Sequence, residues 1–200
     1  MAYNKFTLKR AVQTFGLKIV EGERFVPETE NIGPSSLLQE LLSENLPWAE
    51  AVGSEKARSE AIINPILLEV RRICHRQISV FSGEDLTVDP AAELTGCCDF
   101  LISKSPEQLF IQAPAIVIVE AKKEDTKSGL GQCVAEMVAA QRFNAEAQQP
   151  IIAIYGSVSS GTAWKFLKLE EQVVTIDLKD YPMPPVEMIL GMLIWMVQEG

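Results

Sequence analysis

Two carboxylates and an amine define the chemistry open to this chain. Glu120 and Lys122 close the apolar run Ala115-Ile116-Val117-Ile118-Val119-Glu120-Ala121-Lys122-Lys123, and Asp99 interrupts a second one, Gly96-Cys97-Cys98-Asp99-Phe100-Leu101-Ile102-Ser103. Two carboxylates, a backbone carbonyl and waters are typical ligands for Mg2+, which keeps several waters and seeks phosphate oxygens. A cation held there would polarise a phosphodiester and acidify a bound water. Lys122 would then orient or help deprotonate that water and offset negative charge developing on phosphorus. The plainer account is a structural ion pair, in which Lys122 alone compensates a buried Glu120. Other catalytic devices are missing: no serine motif is present, and His75, the one histidine, cannot make a triad.

The elements that would position these groups follow from hydrophobic periodicity. Ala115 to Val119 reads as a central strand buried on both faces. Side chains alternate along a strand, so Glu120 and Lys122 share a face that Ala121 does not. Short polar turns between the preceding segments suggest a meander of Gln77–Phe81, Leu86–Val88, the Asp99 strand and the Glu120 strand, with Leu109–Ile111 opening the last strand. A helix from about Ser128 to Ala147 carries Gln132 and Glu136 four residues apart as a polar stripe. It leads to a buried strand, Ile151–Tyr155, so this second pair is expected to be parallel. Upstream, a long helix spans about Glu55 to Arg76, kinked or broken at Pro65, with Glu60 and Asn64 sharing one of its faces. A small-residue loop at 156–161, a hairpin of Trp164–Leu169 with Gln172–Asp177, and an apolar helix near 186–198, either tucked on the sheet or part of a subunit contact with the former favoured, complete the chain.

Residues 1–50 read as an accessory helical segment and 51–200 as the main α/β domain, with its core at about 55–156 and the hairpin and closing helix at 163–198. In the first segment, Thr7 to Phe15 forms a helix stopped by Gly16. A second helix opens at Ser36 with capping-box spacing, runs to about Leu42 and leaves Pro47 beyond it.

Composition limits the partners. An apolar content of 47% suits a packed core, while the net charge of −9 works against a large nucleic-acid surface. Lys104, Lys122, Lys123, Lys127, Arg142, Arg71, Arg72 and Arg76 are the bases that could converge on the site. Cys74, Cys97, Cys98 and Cys133 show no metal spacing and read as buried free thiols of a reducing cytoplasm. No signal peptide is visible, and the greasiest run, Met188–Val197, is too short to cross a bilayer.

Asp99 on one strand, Glu120-x-Lys122 at the end of the next and a helix after it resemble the PD-(D/E)XK nuclease superfamily, the restriction-endonuclease-like fold. The resemblance covers about half the chain. It implies an α/β core whose mixed sheet, an antiparallel meander plus a parallel strand after a crossover helix, is flanked by helices. It implies Asp99 and Glu120 as ligands of Mg2+ or substituting Mn2+, assisted by the Ala121 carbonyl, and Lys122 as a catalytic residue. Glu60, with Glu69 as its competitor, and Gln132 are the candidates for two further acidic and amide positions. DNA is the implied substrate, and a homodimer would supply the two active sites that double-strand cleavage needs. A nuclease-like domain retained for binding or assembly, and an unrelated scaffold with a structural Glu120–Lys122 pair, are the alternatives.

Overall fold

The computed structural model describes residues 3–22 and 24–200. Their topology follows from which runs are apolar on two faces and which on one. The described residues form an eight-stranded mixed sheet: β1 (Lys18–Glu21), β2 (Ser79–Ser82), β3 (Phe100–Ser103), β4 (Ala115–Ala121), β5 (Ala153–Ser159), β6 (Ala163–Glu170), β7 (Val173–Ile176) and β8 (Tyr181–Pro182). The spatial order is β1-β7-β6-β5-β4-β3-β2, with β8 against β6. β2, β3 and β4 pair antiparallel, and β4 and β5 pair parallel across a helical crossover. The class is therefore α/β, with antiparallel and parallel pairs in one sheet flanked by helices.

Among the described residues, six α-helices flank the sheet: α1 (Leu8–Phe15), α2 (Ser36–Val52), α3 (Glu55–Arg58), α4 (Asn64–Ile73), α5 (Leu130–Glu146) and α6 (Val186–Glu199). One core lies between the sheet and α2, α4 and α6, and a second between the sheet and α1 and α5. β4 is buried at all seven positions, as a strand sandwiched between two helical layers must be. α6 is packed in the first core through Ile189, Leu190, Leu193 and Met196.

The N-terminal fifty residues are woven into this frame more deeply than an accessory segment would be. β1 extends the sheet beside β7. α1 lies on α5 so closely that a Cβ at Gly131 would meet the Phe6 carbonyl oxygen at 2.3 Å. The Thr7 hydroxyl accepts from the Arg10 N–H, and Gly16 adopts φ 65° at the end, as the sequence expects.

Other elements depart from expectation. α2 begins one residue after its cap, Ser35, and runs through Pro47 to Val52. Pro47 has no N–H for the Ser43 carbonyl, and both residues are exposed, so the lost helical bond is not buried. The long helix does not break at Pro65 but stays continuous: α3 passes through a five-residue π turn, Ser59–Ile63, into α4, with Pro65 in the first turn of α4. Pro65 has no N–H for the Ala61 carbonyl, and the Asn45 side-chain amide donates to that carbonyl instead, at 3.0 Å. Leu86–Val88 makes only isolated bridges around Asp85–Cys97 and Asp89–Leu94. Leu109–Ile111 is not a strand, and Leu109 is 89% exposed. Ile151 and Ile152 precede β5, which absorbs most of the expected 156–161 loop. Gly156 permits this because a side chain there would come within 2.4 Å of Met137 Sδ.

Candidate active site

The site forms where β4 emerges from the core. The register pairs Phe100 with Val119, so the next step along both chains brings Asp99 level with Glu120. Asp99 lies just ahead of β3, and its Oδ2 accepts from the Ala121 N–H at 2.8 Å. The N–H and C=O of one strand residue point to the same side, so the Ala121 carbonyl also faces the Asp99 edge. Two carboxylates and one carbonyl thus gather at a single strand end.

Glu120 is fully buried. Its Oε1 contacts the Lys122 ammonium, and its Oε2 accepts from Gln132 Nε2 at 2.8 Å. The same amide nitrogen donates to Glu136 Oε1 at 3.1 Å. Glu136 is also fully buried, and its Oε2 has no hydrogen-bond partner. α5 closes tightly over this group. At Gly129, which precedes the helix, a Cβ would stand 2.6 Å from Val158 Cγ1, 3.1 Å from Lys122 Cγ and 3.2 Å from Glu120 Cγ. Only a residue without a side chain allows that approach.

These surroundings set the protonation preferences. Burial raises the Glu120 carboxyl to about 8; the Asp99 charge adds to the rise and Lys122 opposes it. Burial also lifts Glu136 well above the ordinary carboxylate range, reinforced by the charge of Glu120. For Lys122, burial works against the ammonium, but the charge and hydrogen bond of Glu120 outweigh it, so its pKa rises. The pocket therefore gathers acids around one amine, and a hard cation would relieve it. Asp99, Glu120 and the Ala121 carbonyl are all oxygen donors of the kind Mg2+ takes, with water completing the shell. Among the described residues, no group of three or more His, Cys, Asp or Glu side chains is arranged to hold a metal, so such a cation would rest on these two carboxylates.

Asp99, Glu120, Ala121, Lys122 and Gln132 come together. Glu60 does not join them: its side chain is exposed and pairs with Lys56 at 3.5 Å on an outer helix face. The competing acid, Glu69, has a structural task. Its carboxylate accepts from the Ser35 N–H at 2.7 Å, the Ser35 hydroxyl at 3.1 Å and the Arg72 guanidinium at 2.7 and 2.8 Å. It locks the start of α2 onto α4, and Arg72 and Ser35 hold it below its usual pKa. The acid of the first helix that acts electrostatically on both Glu120 and Lys122 is Glu55, in the first turn of α3. No spacing distinguishes Glu55 from Glu60 in the sequence, since both fall early in the one long helix expected after Ser54; in the structure Glu55 is in α3 and Glu60 in the π turn that follows. Glu136 could be found from its spacing to Gln132 on a helix that is otherwise mostly apolar.

The basic residues do not converge on this strand end. Lys104 caps the carbonyl end of α6 at Gln198 and Gly200, Arg142 pairs with Asp89, and Arg72 pairs with Glu69. Lys122, Lys123 and Lys127 remain on the segment that leaves β4. No family model matches the chain, and no curated protein does. Among the described residues, no helix is long and apolar enough to cross a membrane.

Proposed function

We propose that this protein is a divalent-metal-dependent nuclease of the PD-(D/E)XK type, hydrolysing phosphodiester bonds in DNA in a reducing cytoplasm. The observation that carries the reading is the pair of carboxylates, Asp99 and Glu120, level on paired segments of the sheet with the Lys122 ammonium on Glu120. Mg2+, or Mn2+ in its place, would be held by Asp99, Glu120 and the Ala121 carbonyl, and would supply a polarised phosphate and an acidified water. Lys122 remains an ammonium because Glu120 stabilises its charge, so its part is to donate hydrogen bonds to the water and the phosphate oxygens. Gln132 fixes Glu120 by donating to Oε2. Asp99 anchors the strand end through the Ala121 N–H and keeps its second oxygen for a ligand. The four free thiols fit a reducing compartment, although only Cys98 and Cys133 are buried as expected, while Cys74 is half-buried and Cys97 is exposed.

One observation favours a second reading, a nuclease-like domain that binds or assembles without cleaving. The chain carries −9, and several of its bases are committed to internal pairs and caps. A single assay separates the two. Supercoiled plasmid and single-stranded DNA are incubated with the protein and Mg2+ or Mn2+, with and without chelator. Metal-dependent cleavage that falls by about 100-fold or more in Lys122→Ala is the expected result. Cleavage that survives this change at full rate contradicts the assignment, and DNA binding without cleavage favours the second reading.

A further inference from the structure

Arg58 is a half-buried cation beside the strand end with no acid paired to it. It closes α3, three residues after Glu55, so the two share a helix face. Its Nη1 donates to the Ser160 carbonyl at 3.0 Å and to the Thr162 hydroxyl at 3.3 Å. Its Nε is buried without an acceptor. Among the described residues Arg58 belongs to no ion pair, although the chain holds 27 acidic side chains. A guanidinium that keeps an N–H and its full charge uncommitted is suited to an anion from outside the chain.

The turn on which it rests, 160–162, adjoins the site. Ser159 pairs with Ala121, and its carbonyl accepts from the Lys122 N–H at 2.8 Å. Neighbouring strands lie about 4.8 Å apart, so the turn stands beside the end of β4 and not over it. Glu55, one helical turn back, acts electrostatically on both Glu120 and Lys122, so this face of α3 looks toward the same strand end.

The plainer role for Arg58 is to tie the turn down, but the turn closes without it. The Ser160 N–H donates to the Ala163 carbonyl at 3.0 Å, the Gly161 N–H to Ser159 Oγ at 2.9 Å, and the Trp164 indole N–H to the Gly161 carbonyl at 3.1 Å. The two bonds from Nη1 therefore fix the guanidinium on a turn already formed. A guanidinium held in place loses less rotamer freedom when it meets phosphate oxygens.

We infer that Arg58 binds the nucleic-acid backbone at the phosphate next to the one that is cleaved. The cation and Lys122 serve the reacting phosphate, and Arg58 holds its neighbour. The inference rests on the nuclease reading, and it supplies a contact by which a chain of net charge −9 grips a polyanion.

Fluorescence anisotropy of a short labelled DNA duplex over a series of salt concentrations tests it, with Mg2+ present and in a Lys122→Ala background that leaves the duplex whole. Adding Arg58→Ala should raise the dissociation constant about 10-fold, whatever the sequence of the duplex. It should also lower the slope of log affinity against log salt by about one, the mark of one lost phosphate contact. Arg58→Lys keeps the charge and should keep the slope. Lys18→Ala removes the same charge from an exposed site at the opposite end of the sheet, and should change neither quantity. If Arg58 only tied the turn, Arg58→Ala and Thr162→Val would weaken binding alike and leave the slope intact. A slope unchanged by Arg58→Ala overturns the inference and leaves the nuclease reading standing. A wild type that neither binds nor cleaves DNA overturns both.

Discussion

At Glu136 a carboxyl group lies inside the protein with one oxygen held by Gln132 and the other facing no donor. Burial and the nearby charge of Glu120 make the neutral form the stable one, so in the folded chain this residue keeps its proton well above the ordinary value of 4.5. The sign of the linkage follows. Above about pH 4.5 the unfolded chain releases this proton while the folded chain retains it, so the native state loses stability as pH rises, by at most ~1.4 kcal/mol per pH unit. Glu136→Gln keeps the shape and the acceptor for Gln132 and removes the titration. In urea denaturation of metal-free protein, the variant should gain stability relative to the wild type between about pH 5 and pH 8. A difference that does not change with pH would contradict the neutral Glu136. Residue by residue, the site was readable where a strand dictated it, because alternation alone puts Glu120 and Lys122 on one face. Glu60 was misplaced because it lies inside the π turn Ser59–Ile63, where the helix faces that simple 3.6-residue counting assumes are shifted.

The π turn also decides what α2 and α4 need from one another. Proline at 65 denies the Ala61 carbonyl its helical donor, and Asn45, from the middle of α2, replaces it. Asn45→Ala leaves that carbonyl unsatisfied in a partly buried place, at a cost of about 1–3 kcal/mol. Thermal and urea denaturation should show that loss; a variant as stable as the wild type would mean that water serves the carbonyl equally well. Sequence signals located elements best where local chemistry settled the boundary, as at Thr7 and Gly16 around α1. They failed where tertiary context overrode it. Pro47 reads as a stop, yet α2 continues because Pro47 and Ser43 are exposed and the bond lost between them is not buried. Gly156 reads as a loop, yet β5 continues because Met137 and Cys133 fill the space where a side chain would stand.

At the scale of the molecule, the N-terminal segment is part of the architecture: β1 pairs with β7, and Val26, Leu38 and Leu42 lie in the same core as α6. Periodicity could not reveal this, because β1 is four residues long and finds its partner more than 150 positions away, at Val173–Ile176. The net charge of −9 bears on any cation the protein holds, since such a molecule attracts divalent ions generally. Tightness and stoichiometry therefore decide, not binding alone. The most direct measurement of the central claim is a Mn2+ titration followed by electron paramagnetic resonance, on wild type, Asp99→Asn and Glu120→Gln. One tight ion per chain that competes with Mg2+ and is lost in both variants is the predicted result. Weak uptake of several ions, unchanged by either substitution, would contradict it.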